Sequence, residues 1–150
     1  MSQSLVKNLI HLTFSTKDRE PFLARAVREG LNRYMTGISK DLDSPMLAVN
    51  SVWDHTHLLL NLSKNQALAE VVMEVKRGSS KWLKTQGPEF SRFHWQGGYA
   101  GFSIGQSGVA QVKSYIASQE AHHRVKTFQE ELRSLLSRYE ITFDERFLWA

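Results

Sequence analysis

Between Val6 and Phe14 apolar and polar positions alternate. Val6, Ile10, Leu12 and Phe14 fall on one face and Lys7, His11 and Thr13 on the other, the period of a half-buried strand. From Pro21 the period lengthens: Leu23, Val27, Leu31, Tyr34 and Ile38 recur every three to four residues, predicting a helix that stops near Ser44 and Pro45. Met46 to Leu62 predicts two strands, because about 17 residues exceed the usual strand length and Trp53-Asp54 offers a turn near the middle. A second helix is predicted from Gln66 to Thr85, with Leu68, Val71, Val72, Val75 and Trp82 on its apolar side and Asn65 as N-cap. Trp95 to Tyr99 reads as a loop or bulge and Ala100 to Ile104 as a short strand. Ser107-Gly108 opens a third helix running to His123. Thr127 and Glu130 form a capping box for a last helix in which Phe128, Leu132, Leu135, Leu136 and Tyr139 face inward.

The first six elements follow the βαββαβ order of a ferredoxin-like α+β fold, an antiparallel sheet with two helices on one face, to which the C-terminal helices are added. With 150 residues, 41% of them hydrophobic and 23% charged, the chain has the size and composition of a single domain, 1–150, large enough to build its own core. The absence of cysteine excludes disulfides, zinc ribbons and thiolate catalysis. No apolar run approaches the roughly 18 residues of a membrane span, and Lys7 and His11 interrupt the first apolar stretch, so no membrane partner and a cytoplasmic location are expected.

Charge adds a direction. Residues 1–75 carry 8 basic and 8 acidic side chains and residues 76–150 carry 11 and 7, so the whole net charge of +4 lies in the second half. Lys76, Arg77, Lys81, Lys84 and Arg92 fall in one short stretch whose only acid is Glu89. Arg77, Lys81 and Lys84 line one side of the second helix at i, i+4 and i+7, which suits a phosphate backbone as well as a plain solvated face.

Two constellations carry chemistry. In Asp54-His55-Thr56-His57 the strand period sends both imidazoles to one face and Thr56 to the core side with Leu58, Leu60 and Leu62, so the histidines can share a metal or stand as a surface pair. On the third helix Tyr115, Gln119 and His122 fall within roughly 60° of one another, so a phenol and an amide oxygen can address one point; a boundary tyrosine is the plainer alternative. Together they describe a divalent metal with open positions, a nucleophile toward phosphorus and a basic helix for the backbone, the set needed for phosphodiester cleavage through a phosphotyrosine. His11 shares the histidine face by the strand period but reads as a structural histidine. His122 and His123 fit either a supporting role or the surface.

These stretches occur in one order with Phe14-Ser15-Thr16-Lys17, Lys76-Arg77-Gly78-Ser79-Ser80-Lys81, Trp95-Gln96, Gly98-Tyr99, Gln119-Glu120, His122-His123 and Phe147-Leu148-Trp149. Over essentially its whole length the chain resembles the single-tyrosine HUH transposases of bacterial insertion sequences, the TnpA type. The resemblance implies an enzyme that recognises hairpins in single-stranded DNA at element ends and cuts and rejoins the strand through a 5′-phosphotyrosine. It implies Mg²⁺ or Mn²⁺ held by His55, His57 and Gln119, with Tyr115 as nucleophile, and a homodimer with composite active sites. Arg77, Lys81 and Lys84 are the candidates for DNA contacts, Gly78 and Gly98 for close-approach or turn positions, and Trp95 for core or a base-stacking platform. Thr56 departs from the bulky apolar residue usual between the histidines, and its hydroxyl needs a partner if buried. The alternatives are an inactive or domesticated relative that binds hairpin nucleic acid without cutting, a hydrolase whose metal activates water, and a purely structural dimerisation module.

Overall fold

A computed structural model describes residues 2–150. Strands β1 (Leu9–Ser15), β2 (Met46–Ser51), β3 (His55–Asn61) and β4 (Ala100–Ile104) form an antiparallel sheet in the order β2-β3-β1-β4. Helices α1 (Arg25–Asp41) and α2 (Leu68–Lys84) pack on one face, as the βαββαβ order requires. The core between them and the sheet joins Ile10, Leu12, Phe14, Leu58 and Leu60 to Leu31, Met35, Val71, Val75 and Leu83. Among the described residues no helix is long and apolar enough to cross a membrane.

The other face carries α3 (Val109–Ala117), α4 (Gln119–His122), α5 (Phe128–Arg138) and the short α6 (Glu145–Leu148). Two small apolar clusters seat them. Leu9, Leu59 and Ile116 join Val109 and Val112 beneath α3, and Phe102 joins Phe128, Leu132, Leu135 and Leu136 beneath α5. This covering corrects the reading of β1 as half-buried: all seven of its residues are buried, including His11, Thr13 and Ser15 on the α3/α5 side. An alternating strand need not face water when later helices lie over its polar side. The strand also starts at Leu9, leaving Val6 exposed.

Three helix boundaries depart from expectation, the first being that α1 begins at Arg25 and not at Pro21, since the Leu23 N–H donates to the Trp53 carbonyl at 3.0 Å. The N-cap of α2 is Ala67, not Asn65, whose own N–H donates to Ser63 Oγ at 3.1 Å. The third helix does not run unbroken to His123. It stops at Ser118, where Asn50 Nδ2 on β2 donates to the carbonyls of Ile116 (2.9 Å) and Ala117 (3.4 Å), and α4 then begins afresh at Gln119. Thr127 caps α5 as its sequence indicates, accepting from Glu130 N at 3.1 Å.

Thr56 is fully buried and its hydroxyl is satisfied: it donates to the Asn50 carbonyl at 3.1 Å and lies 3.0 Å from Ser51 Oγ. Trp95 is a core residue, stacked edge-on against Phe14 and donating to Ser79 Oγ at 2.9 Å. Gly98 lies in the loop before β4, where its N–H donates to the Ala150 carbonyl at 3.2 Å. Gly78 is a close-approach position, since a Cβ there would lie 2.5 Å from Ile38 Cδ1. Gly30 of α1 is tighter in kind, because its Cβ would lie 2.6 Å from Trp82 Cη2, an indole already stacked on Tyr34. Gly30→Ala is expected to cost about 1–2 kcal/mol in urea unfolding, the overpacking penalty less the gain in helix propensity.

Candidate active site

The polar residues buried under α3 and α5 converge on one carboxylate. Strand alternation puts His55 and His57 on the same face of β3, and both rings are fully buried. Antiparallel pairing brings β1 alongside, so that His11 Nε2 lies 2.8 Å from His57 Nδ1. Glu131, on α5 and 2% exposed, points down between the helices. Its Oε1 lies 2.8 Å from His57 Nε2 and 3.6 Å from His55 Nε2; its Oε2 lies 3.2 Å from His123 Nε2 and 3.4 Å from His122 Nε2. The Tyr115 hydroxyl donates a hydrogen bond to the same Oε2.

Three histidines are anchored from behind. His55 Nδ1 is held by Asp54 Oδ1 at 2.7 Å, His57 Nδ1 by His11 and His123 Nδ1 by the Lys126 carbonyl at 2.7 Å. Each Nε2 thereby faces inward, the arrangement that orients imidazoles toward a metal ion. His55 Nε2 is buried and has no hydrogen-bond partner, which is costly unless something takes its lone pair. His55, His57, His123 and Glu131 each offer a ligand atom within 4.8 Å of one another, so the residues present fit a divalent cation.

The electrostatics follow from burial and from this convergence. Burial opposes ionisation of Glu131, but hydrogen bonds from His123 and His57, and after them the charge of His57 and His55, hold its carboxyl well below the usual carboxylate range. Burial, and after it the charge of Glu131, push the Tyr115 phenol up, keeping it protonated. Burial lowers His57, and it brings His11 down to about 3 with the help of His57, so His11 is neutral and free to accept or donate one proton toward its neighbour. Beside Tyr115 a cleft of about 260 Å³ opens between β4, α3 and α5, with His11, Gln111 and Arg138 among its walls.

Of the residues singled out in the sequence, His55, His57 and Tyr115 meet here within one chain. Gln119 is buried next to them, but its Oε1 lies on His123 Nε2 at 2.9 Å and its Nε2 donates to the Tyr115 carbonyl at 3.3 Å. Arg77, Lys81 and Lys84 are exposed on α2, across the sheet from the histidines, with Arg77 paired to Glu74 at 3.1 Å. His11 and His123 belong to the cluster more closely than their sequence positions suggest. Glu131 was not foreseen, although an acid three residues after Phe128 and next to Leu132 stands inside an apolar stripe, and that misfit was its signal.

Comparison with known proteins places the chain in a family. The transposase ISDra2 TnpA of Deinococcus radiodurans is 26% identical over 114 residues, covering 73% of this chain and 81% of its own. A crystal structure from Deinococcus radiodurans R1 assigned as a transposase superposes with a TM-score of 0.62 at 23% identity, covering 79% of this chain and 98% of that one. The structure of a REP-associated tyrosine transposase bound to a REP hairpin superposes at 0.60 and 15% identity, covering 82% and 74%. The family described as Transposase IS200 like matches residues 4–119, more than three quarters of the sequence, and the chain therefore belongs to the IS200-like transposases.

Proposed function

We propose that this transposase cuts and rejoins single-stranded DNA at the ends of an insertion sequence, with Tyr115 as the nucleophile, and that it recognises the ends as hairpins. The observation that carries this reading is the Tyr115 hydroxyl, held by Glu131 in the same buried cluster as His55 and His57. Only a phenol brought to a cation site and open to a cleft can attack a phosphate bound there.

His55 and His57 would hold Mg²⁺ or Mn²⁺, and when bound the ion would polarise the scissile phosphate and offset its growing charge. The strand enters the cleft beside β4, and Tyr115 attacks phosphorus in line. The phosphorus–3′-oxygen bond breaks, leaving a 5′-phosphotyrosine and a free 3′-hydroxyl. Attack on that linkage by a different 3′-hydroxyl releases Tyr115 and joins the new ends. The covalent link conserves the bond energy, so the exchange needs no nucleotide triphosphate.

Arg77, Lys81 and Lys84 are the proposed phosphate contacts. Their place across the sheet from Tyr115 suits a hairpin gripped on one face while its flanking strand is cut on the other. A relative bound to a hairpin supports the same partner. Neutralising all three is expected to reduce the slope of log affinity against log salt by about 2 for single strands, from roughly 0.7 per lost contact. An unchanged slope places the DNA elsewhere.

The active assembly is proposed as a homodimer. Within it the Tyr115–Glu131–His57 connection, made in a single chain, supports a nucleophile acting on its own subunit's histidines rather than across the composite site that the resemblance implies. The test of the whole reading is a denaturing gel of protein incubated with labelled single strands carrying both element ends. A band of covalent protein–DNA product that requires Mg²⁺ or Mn²⁺ is expected; tight binding with no such band rejects cleavage.

A further inference from the structure

We infer that Glu131, delivered by α5, is the anionic ligand of the cation at His55 and His57, and that its second oxygen ties this ion to Tyr115. The inference rests on reading the histidine pair as metal ligands and goes beyond it, since residue 131 lies past the segment that the family matches.

Three observations carry it. First, the two oxygens of Glu131 are divided in function. Oε1 faces the Nε2 atoms of His57 and His55, while Oε2 takes the Tyr115 hydroxyl. One buried carboxylate thus touches both halves of the reaction site.

Second, Gln119 is committed elsewhere. Its carbonyl oxygen lies on His123 Nε2 and its amide nitrogen on the backbone of Tyr115. It is a positioning residue, bracing His123 and the break between α3 and α4. His57 can turn its proton to Nδ1, where His11 Nε2 lies 2.8 Å away to accept it, and so present a free Nε2 to a cation beside Oε1.

Third, the charges favour it. A divalent ion bound by neutral imidazoles and a neutral amide would have no anionic ligand in a buried site, which is costly. Glu131 as ligand puts a negative charge directly on the ion, with the Asp54 carboxylate behind His55 adding a second at longer range. Mg²⁺ and Mn²⁺ also prefer carboxylate oxygen to amide oxygen, so the carboxylate is the stronger donor.

The test needs no DNA. Mn²⁺ is titrated calorimetrically into the full chain, and into Glu131→Gln and Gln119→Ala chains whose circular dichroism matches the wild type. Glu131→Gln is expected to weaken Mn²⁺ binding by about 100-fold and Gln119→Ala by less than about 10-fold. The reverse ranking, or equal small losses, overturns the inference. Wild-type crystals soaked in Mn²⁺ give a second measure that requires no variant to fold. The anomalous peak should lie about 2.1 Å from an oxygen of Glu131; a peak bonded to Gln119 with Glu131 still on His57 overturns the assignment. Glu131-dependent Mn²⁺ binding in a chain that forms no DNA adduct would sink the cleavage reading alone. Mn²⁺ binding indifferent to Glu131 in a chain that does form the adduct would sink this one alone.

Discussion

Tyr115→Phe is expected to form no covalent protein–DNA product under conditions where the wild type does, while binding the same hairpin-bearing strand within about twofold. The substitution removes the one atom proposed to bond to phosphorus and almost nothing else. The ring keeps its edge-on contacts with His11 and His57, at centroid distances of 5.9 and 5.7 Å. Glu131 loses one donor but retains His57 and His123, so the fold should lose no more than about 1.5–3 kcal/mol, the worth of a hydrogen bond to a charged group. An adduct that persists in the Phe variant means another residue attacks, and the role assigned to Tyr115 fails.

His57→Ala strikes the other half of the site. His57 links His11 on β1 to Glu131 on α5, through contacts of 2.8 Å on each ring nitrogen. Its loss removes a proposed metal ligand, and since losing a mere outer partner of a ligand costs 10- to 100-fold, affinity for Mn²⁺ should fall by about 100-fold or more. It also strips a buried carboxylate of its nearest imidazole partner, at a cost of about 3 kcal/mol in the metal-free protein. Thermal unfolding reads both effects. In the wild type, Mn²⁺ at 100 times its dissociation constant should add about 2.7 kcal/mol of stability, and the His57→Ala chain should melt lower and show no such gain. A full metal-dependent shift in that variant would remove His57 from the ion's ligands. On the proposed reading that each site is drawn from one chain, mixing His57→Ala with Tyr115→Phe chains should not restore the adduct; restoration would place the nucleophile in trans.

Local pattern accounts for a good part of this molecule. Strand alternation was enough to send His55 and His57 to one face and Thr56 to the other, because side-chain direction in a strand depends on position alone. The βαββαβ order was enough for the sheet and for the two helices on its first face. Helical period placed Tyr115 beside the apolar stripe of Val112 and Ile116, where it packs in the protein.

Only the tertiary structure decided what these residues do together. Whether the second face of the sheet meets water depends on where α3 and α5 fold back, a contact between segments about a hundred residues apart, and periodicity within a segment carries no information about it. The break at Ser118 has the same origin: its helix is interrupted by Asn50, a side chain from β2. Without that break Gln119 would continue the face of Tyr115; with it, the amide turns to His123. Glu131 is the clearest case. In sequence it is an acid interrupting the inward side of a helix, an expensive residue to bury. Its place becomes intelligible once three imidazoles and a phenol from β3, α3 and the C-terminal end of α4 converge on it, because a buried charge is tolerated only where partners from elsewhere in the chain surround it.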